Sequence, residues 1–297
     1  MQPDRRAGAA ALLGALALWA GCGLRVLSPT GALPLAPDAW AYVGGVANSM
    51  AILGRPDALA VDVKVGEPAV RMRWKVEEEL GRKVRRILLT HSHLDHWEGL
   101  HLYRDAGVVL AHPRTRERIT ASLRQDRQPD TIPWVDVDGE VRLLVGDQEV
   151  WIRFLGVGHS DGDLVAFVPG RKLVATGDLF SSGFEPAIDP DIGGRLLGLR
   201  RALDRLLGYE FERVVPGHGE VAARKDVEAA RDYLAAMEAS LAGSIGRGRT
   251  EDQAVEEAEA ALRGFPGLEV LPLHVGRRDN IRTMYRELRQ PGKSVAP

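Results

Sequence analysis

His91-Ser92-His93-Leu94-Asp95-His96 places three imidazoles and one carboxylate within six residues. These are the donors that a borderline-soft dication such as zinc prefers. The run follows Arg85–Leu89, an apolar segment that reads as a strand, so it opens a loop at a strand's carboxyl end. Ligands in layered α/β folds gather at such ends. In an extended segment alternate side chains share a side, so His91 and His93 can face one ion together. A turn after His93 would aim Asp95 and His96 at a second ion nearby. One histidine alone would more often be a packed or surface residue; four donors in this order, directly after a strand, point to a metal.

Three shorter motifs each follow another expected strand. Gly158-His159-Ser160 follows Val150–Val157, Thr176-Gly177-Asp178 closes Lys172–Thr176, and Pro216-Gly217-His218-Gly219 follows Arg213–Val215. With these four elements in this order, the chain resembles the metallo-β-lactamase-fold superfamily of metal-dependent hydrolases, and within it the general, glyoxalase II-like branch. The resemblance spans about Asp38 to His218. It implies a four-layered αββα sandwich holding two divalent ions, zinc first, with iron or manganese as alternatives. It assigns His91, His93 and His159 to one metal and Asp95, His96 and His218 to the other, with Asp178 bridging. It further implies a metal-bridging hydroxide that attacks an ester, thioester, lactone or amide-type bond, with Asp95 also able to carry a proton. Asp62 ends an early strand, and the resemblance places it behind a ligand histidine as a hydrogen-bond partner; a plain strand-end turn residue is the other reading.

Two other activities belong to the same fold. One is a di-iron redox enzyme, although that branch commonly carries an added domain and the residues after His218 show no motif for one. The other is β-lactam cleavage: Asp178 stands where some β-lactamases carry a cysteine ligand, and others have no such cysteine. Hydroxyacylglutathione hydrolases share the ligand set, but the C-terminal helices show no glutathione-binding signature. A small-molecule substrate is expected, with Trp97, Phe180 and Phe184 as candidate pocket walls. The net charge of the site favours an anionic or strongly polarised substrate group. His101, His112 and His274 fall outside the motifs, and none is assigned chemistry beyond a structural or pocket-edge role for His112.

The elements that must position these residues alternate. Ala39–Val43, Ser49–Leu53 and Leu59–Val63 read as neighbouring strands. Glu67–Leu80 reads as a helix stopped by Gly81. Trp97–Asp105 reads as a helix, Val108–Ala111 as a strand, Pro113–Leu123 as a helix and Arg124–Gly139 as a loop. Val141–Val145, Val150–Val157, Leu164–Val168 and Lys172–Thr176 read as successive strands. Asp178–Gly194 is a loop, and Arg195–Leu207 an amphipathic helix. Asp226–Leu262 is helical with a break at Gly243–Gly248, and Asp279–Leu288 is a last helix. The fold class is therefore α/β, two β-sheets packed together with helices outside, plus a C-terminal helical extension.

The 297 residues carry 39 Lys and Arg against 41 Asp and Glu, a net charge of −2. No bulk field favours nucleic acid, so no nucleic-acid partner is expected. The one cysteine, Cys22, excludes an internal disulfide and a Cys-rich zinc cluster. Residues 1–22 read as an export signal: Arg5-Arg6, then the apolar run Ala7–Ala20, shorter than the ~20 residues of a spanning helix. Leu18-Trp19-Ala20-Gly21-Cys22 resembles a bacterial lipoprotein processing site, which implies a lipidated Cys22 and a periplasmic, membrane-tethered protein. A plain signal peptide or an uncleaved short anchor fits the same residues. The expected organisation continues with a Pro-rich linker over 23–38, the metal-binding domain over 39–220, helices over 221–289 that pack on the sandwich, and a fraying tail over 290–297. Oligomeric state is left open.

Overall fold

The computed structural model describes residues 31–125 and 132–290. The expected signal with Cys22, and residues 291–297 of the expected tail, lie outside them. Sheet 1 has seven strands in sequence order: β1 (Gly31–Ala36), β2 (Ala39–Val43), β3 (Ser49–Leu53), β4 (Asp57–Val61), β5 (Lys83–Leu88), β6 (Val108–Ala111) and β7 (Trp134–Asp136). β1 to β4 are antiparallel, and β4 to β7 parallel. The parallel part needs crossovers. These are α1 (Gly66–Trp74) with a π-helical turn, α2 (Leu94–Trp97) with a 3₁₀ turn, and α3 (Pro113–Gln125). Sheet 2 holds β8 (Glu140–Val145), β9 (Gln148–Phe154), β10 (Leu164–Val168), β11 (Leu173–Gly177), β12 (Arg213–Pro216) and β13 (Ala222–Ala223), also in sequence order. β11 and β12 are parallel, joined through α4 (Leu196–Leu207).

Strand alternation sets the layers. Met50 and Ile52 of β3 and Leu59 and Val61 of β4 point inward, where they meet Leu164, Ala166 and Val168 of β10 and Leu173 and Ala175 of β11. The intervening residues Ala51, Ala58 and Ala60 pack outward against Met72, Val76, Leu100 and Ile119 of the crossover segments. On sheet 2, Val165, Phe167 and Val174 face outward onto Leu199, Leu203 and Leu206 of α4. Helices, sheet, sheet, helices: this is the expected αββα sandwich.

Three sequence expectations change. Residues 31–36 of the expected linker form edge strand β1, paired antiparallel to β2. Pro34 is tolerated there because an edge strand leaves one side without ladder bonds. The expected helix Trp97–Asp105 is instead the end of α2 followed by a 3₁₀ turn over Glu98–Tyr103. Gly99 explains the tight passage, since a Cβ there would lie 2.2 Å from the Val63 carbonyl oxygen. The expected loop Arg124–Gly139 contains β7, and residues 126–131 lie outside the described set.

After β13 come α5 (Arg224–Gly246), α6 (Glu251–Ala261) and α7 (Arg277–Arg289). The break expected at Gly243–Gly248 separates the first two, with Gly248 at φ +70°. Tyr233, Met237 and Leu241 of α5, Val255 of α6 and Ile281 and Met284 of α7 join the same cluster as α4 and the outer face of sheet 2. No helix among the described residues is long and apolar enough to cross a membrane.

One buried carboxylate fastens this extension. The two oxygens of Glu287 on α7 accept from the backbone N–H groups of Leu196 and Leu197, each at 2.9 Å, at the start of α4. First-turn N–H groups have no partner inside their own helix, and the helix dipole favours an anion there. Glu287→Gln keeps the shape but aims an NH₂ group at one of these donors. It is expected to lower stability by about 1–3 kcal/mol, measured as a lower urea midpoint at unchanged slope.

Candidate metal centre

Every donor sits just past the carboxyl end of a strand. The loop after β5 carries His91 and His93, and α2 carries Asp95 and His96. The loop after β9 carries His159, the end of β11 carries Asp178, and the loop after β12 carries His218. The seven residues fall into two groups whose ligand atoms lie within 4.8 Å of one another: His91, His93, His159 and Asp178, then Asp95, His96 and His218. Each group draws on both sheets.

Asp178 stands between the groups. Its Oδ1 is 3.2 Å from His96 Nε2. Its Oδ2 is 3.2 Å from His218 Nε2 and 3.7 Å from both His91 Nε2 and His159 Nε2. Gly217 makes room for this carboxylate, since a Cβ there would lie 1.8 Å from Asp178 Oδ1. The glycine in Pro216-Gly217-His218 is thus a steric requirement for the close approach.

The outward nitrogen of each imidazole is fixed. His96 Nδ1 lies 2.7 Å from Asp62 Oδ2. The Thr90 hydroxyl also donates to Asp62 Oδ2, at 2.7 Å, and its oxygen lies 3.1 Å from His91 Nδ1. With its proton committed to Asp62, Thr90 accepts from His91. His159 Nδ1 is 3.1 Å from the Ala187 carbonyl oxygen, and His218 Nδ1 2.9 Å from that of Val46. In these four the partners place a proton on Nδ1 and turn Nε2 inward. His93 is reversed: its Nε2 donates to Asp189 Oδ2 at 2.9 Å, and its Nδ1 faces His159 Nε2 at 3.1 Å. Such outer hydrogen bonds fix tautomer and ring direction in metal-binding histidines.

Inside, three polar atoms lack partners. His91 Nε2, His96 Nε2 and Asp178 Oδ1 are buried without a hydrogen bond. Leaving such atoms unpaired is costly, and buried polar atoms are rarely left so without a ligand or ion. The donor set and these orphaned atoms fit divalent cations.

The electrostatics agree. Burial holds His91 well below its ordinary value and His159 down to about 3, so both stay neutral. Burial opposes charge on His96 and His218 too, but Asp178 overrides it and raises both, aided at His96 by Asp62 and at both by Asp95. Burial also opposes charge on Asp178, yet His218, His96 and His91 hold it well below the carboxylate range. The centre attracts positive charge.

Asp62 lies behind His96, as the resemblance placed it, and reaches His91 through Thr90. Trp97, Phe180 and Phe184 are not where they were expected. Trp97 packs with Leu100 and Tyr103 under sheet 1, its Nε1 donating to the Ser92 carbonyl oxygen at 3.0 Å. Phe180 is buried against α4 and its neighbours, and Phe184 against Ala187 and Leu271. The cavity over the site is lined by other residues. The loop Asp178–Gly194 does reach it, through Ile188, Asp189 and Pro190. His101 is half exposed with its Nδ1 against the Glu98 carbonyl oxygen, and His112 packs on Phe154.

Three residues escaped the sequence reading. Asp189 orients His93, which in turn holds its carboxyl down to about 2. Lys64, fully buried, donates to the carbonyl oxygens of Gly44 and Ala47 and so steadies the loop that offers Val46 to His218. Burial pushes this ammonium down to about 7, against the pull of Asp62 and Asp95. His274 reaches over the site from the segment before α7, its ring centroid 6.2 Å from His93 and 6.0 Å from His159. None of the three sits in a local motif.

Comparison with known proteins agrees with this geometry. The α subunit of 2,4-dinitroanisole O-demethylase from Nocardioides sp. (strain JS1661) is 29% identical over 202 residues, covering 66% of this chain and 60% of that protein. The type 2 metallo-β-lactamase of Bacillus cereus is 26% identical over 153 residues, 50% of this chain and 57% of the enzyme. The chain thus spans less than two thirds of the length of these relatives. Among solved structures, a metallo-β-lactamase from Pontibacter korlensis superposes with a TM-score of 0.57 at 18% identity, covering 70% of this chain and 99% of that one. The mono-zinc form of FIM-1 from Pseudomonas aeruginosa superposes with a TM-score of 0.59 at 17% identity, covering 71% and 96%. At those identities the superpositions speak for the fold. The profile of the metallo-β-lactamase superfamily matches residues 44–218, more than half of the sequence and the span that carries all seven donors, and the chain belongs to that superfamily.

Proposed function

We propose that the protein is a hydrolase using two divalent ions, zinc first, to cleave an ester, thioester, lactone or amide-type bond. The observation that carries this reading is the set of five imidazoles, each fixed from behind, gathered around the buried carboxylate of Asp178. His91, His93 and His159 would hold one ion, Asp95, His96 and His218 the other, and Asp178 both. Bound there, the ions would acidify a shared water and polarise the bond to be cut.

The protein's own part is preorganisation. Asp62, Thr90, Asp189 and the carbonyl oxygens of Val46 and Ala187 keep five rings aligned, so little reorganisation is left for the reaction. Asp95 is the most open carboxylate of the set, with 22% of its side chain exposed, and it lines the cavity. It would take the proton released from water and return it to the leaving atom, so that water adds across the cleaved bond. A second reading, cleavage of an aryl ether, is favoured by the similarity to the O-demethylase subunit. β-Lactam hydrolysis is the third, from the similarity to the Bacillus enzyme. Metal analysis with turnover of chromogenic esters, thioesters and lactones, 2,4-dinitroanisole and a chromogenic cephalosporin separates the three. A metal-loaded sample inert on every ester, thioester, lactone and lactam would overturn the hydrolase reading. We also propose export with a lipid anchor on Cys22, on the strength of the amino-terminal residues alone.

Three outcomes are expected. His93→Ala should lose most of one metal equivalent and most of its turnover together; full turnover in a metal-free variant would refute the mechanism. Asp62→Asn should keep the ligands but weaken metal affinity about 10–100-fold, read by chelator competition. Cys22→Ser should move the protein from the membrane fraction to the soluble one, and unchanged membrane association would remove the anchor.

A further inference from the structure

The cavity above the metal centre measures about 700 Å³, room for a small organic molecule. Its floor is polar, with His93, Asp95, Asp178 and His218. Its walls are not. Among the described residues that line it there is no Lys, Arg, Asn or Gln, and the one hydroxyl is that of Thr283. The charged groups away from the floor are Asp189 and Asp191, both acidic. A second anionic group on a substrate would lose water and meet only like charge.

The rim is apolar and open. Leu273 is 98% exposed, Leu94 55% and Val275 37%, and all three line the cavity. Single exposed apolar residues need no explanation, but several on one rim mark a binding surface. The backbone supports this. Leu273 stands at φ +65° and Val46 at φ +80°, left-handed conformations that L side chains adopt at a cost, and both line this same cavity. Strain of this kind clusters at ligand clamps. For Leu273 no packing among the described residues offsets it.

His274 belongs to the same segment. The three imidazoles of the first donor group have ring centroids 4.7–4.8 Å apart, whereas His274 stands 6.0–6.2 Å from two of them. It lies outside the ligand ring, facing the space a substrate would fill.

We propose that the cavity selects a substrate that carries no charge away from the reacting bond and whose bulk is apolar, gripped by Val46, Leu94, Leu273 and Val275, with His274 hydrogen-bonding the polar atom beside that bond. The identity of the bond rests on the hydrolase reading; the grip does not require turnover and is tested by binding.

The probes are butanoate, hexanoate, octanoate and octanedioate, titrated calorimetrically into the metal-loaded full chain. Affinity should rise about two- to fourfold per added methylene from butanoate to octanoate. Octanedioate, with a second carboxylate at its far end, should bind at least tenfold more weakly than octanoate. Leu273→Ser with Val275→Ser should reduce the chain-length slope at unchanged metal content. His274→Ala should weaken every monocarboxylate by a similar factor, with His274→Gln restoring part of it. A flat slope in the wild-type protein, octanedioate binding as tightly as octanoate, or a slope untouched by the double serine variant overturns the grip. If the serine variant instead loses only affinity for phosphatidylcholine vesicles, the rim faces a membrane and the proposal falls. Unaltered binding in His274→Ala removes His274 from it. If the slope and the charge preference hold while every chromogenic ester, thioester, lactone and lactam stays intact, the hydrolase reading fails and the grip stands.

Discussion

The rest of the site depends on the burial of one negative charge. Asp178 is taken out of water between two groups of imidazoles, and such a carboxylate persists only where positive charge or hydrogen bonds compensate it. That need explains the surroundings. Gly217 exists to let the carboxylate in, Asp62 and Thr90 hold the His91 and His96 rings in place around it, and the β2–β3 loop is pinned by Lys64 so that His218 meets it from another side. The sandwich supplies rigidity, because its strands end together and deliver each donor from a fixed backbone position.

Local pattern carried much of this. The donors of His91–His96 form a dense word after a strand, and the other three motifs each follow an apolar run of strand length. Alternation in β3, β4, β10 and β11 separates an inner face from an outer one, which is enough to stack two sheets between helices. The edge strand β1 was hidden because prolines at 29, 34 and 37 give its stretch the composition of a linker.

What stayed hidden depends on pairs far apart in the chain. Asp189 meets His93 across 96 positions, and no spacing rule joins them. Lys64 looks like any charged residue after a strand until the fold closes two carbonyl oxygens over it. Trp97 was misplaced for a related reason: it follows His96 directly, but successive side chains on a helical turn diverge by about 100°, so a neighbour of a ligand turns into the core. His274 is brought over the centre by a segment that pairs at Glu269 with the loop after β11 and packs Leu271 against Phe184 and Ala187.

The donor groups straddle the seam between the sheets, three residues of sheet 2 against four of sheet 1. An ion bound there is therefore a rivet through the sandwich as well as a reagent. Its affinity adds to the cohesion of the two halves, since a ligand held only by the native state shifts the folding equilibrium towards it. Chelation and heat thus pull apart the same joint.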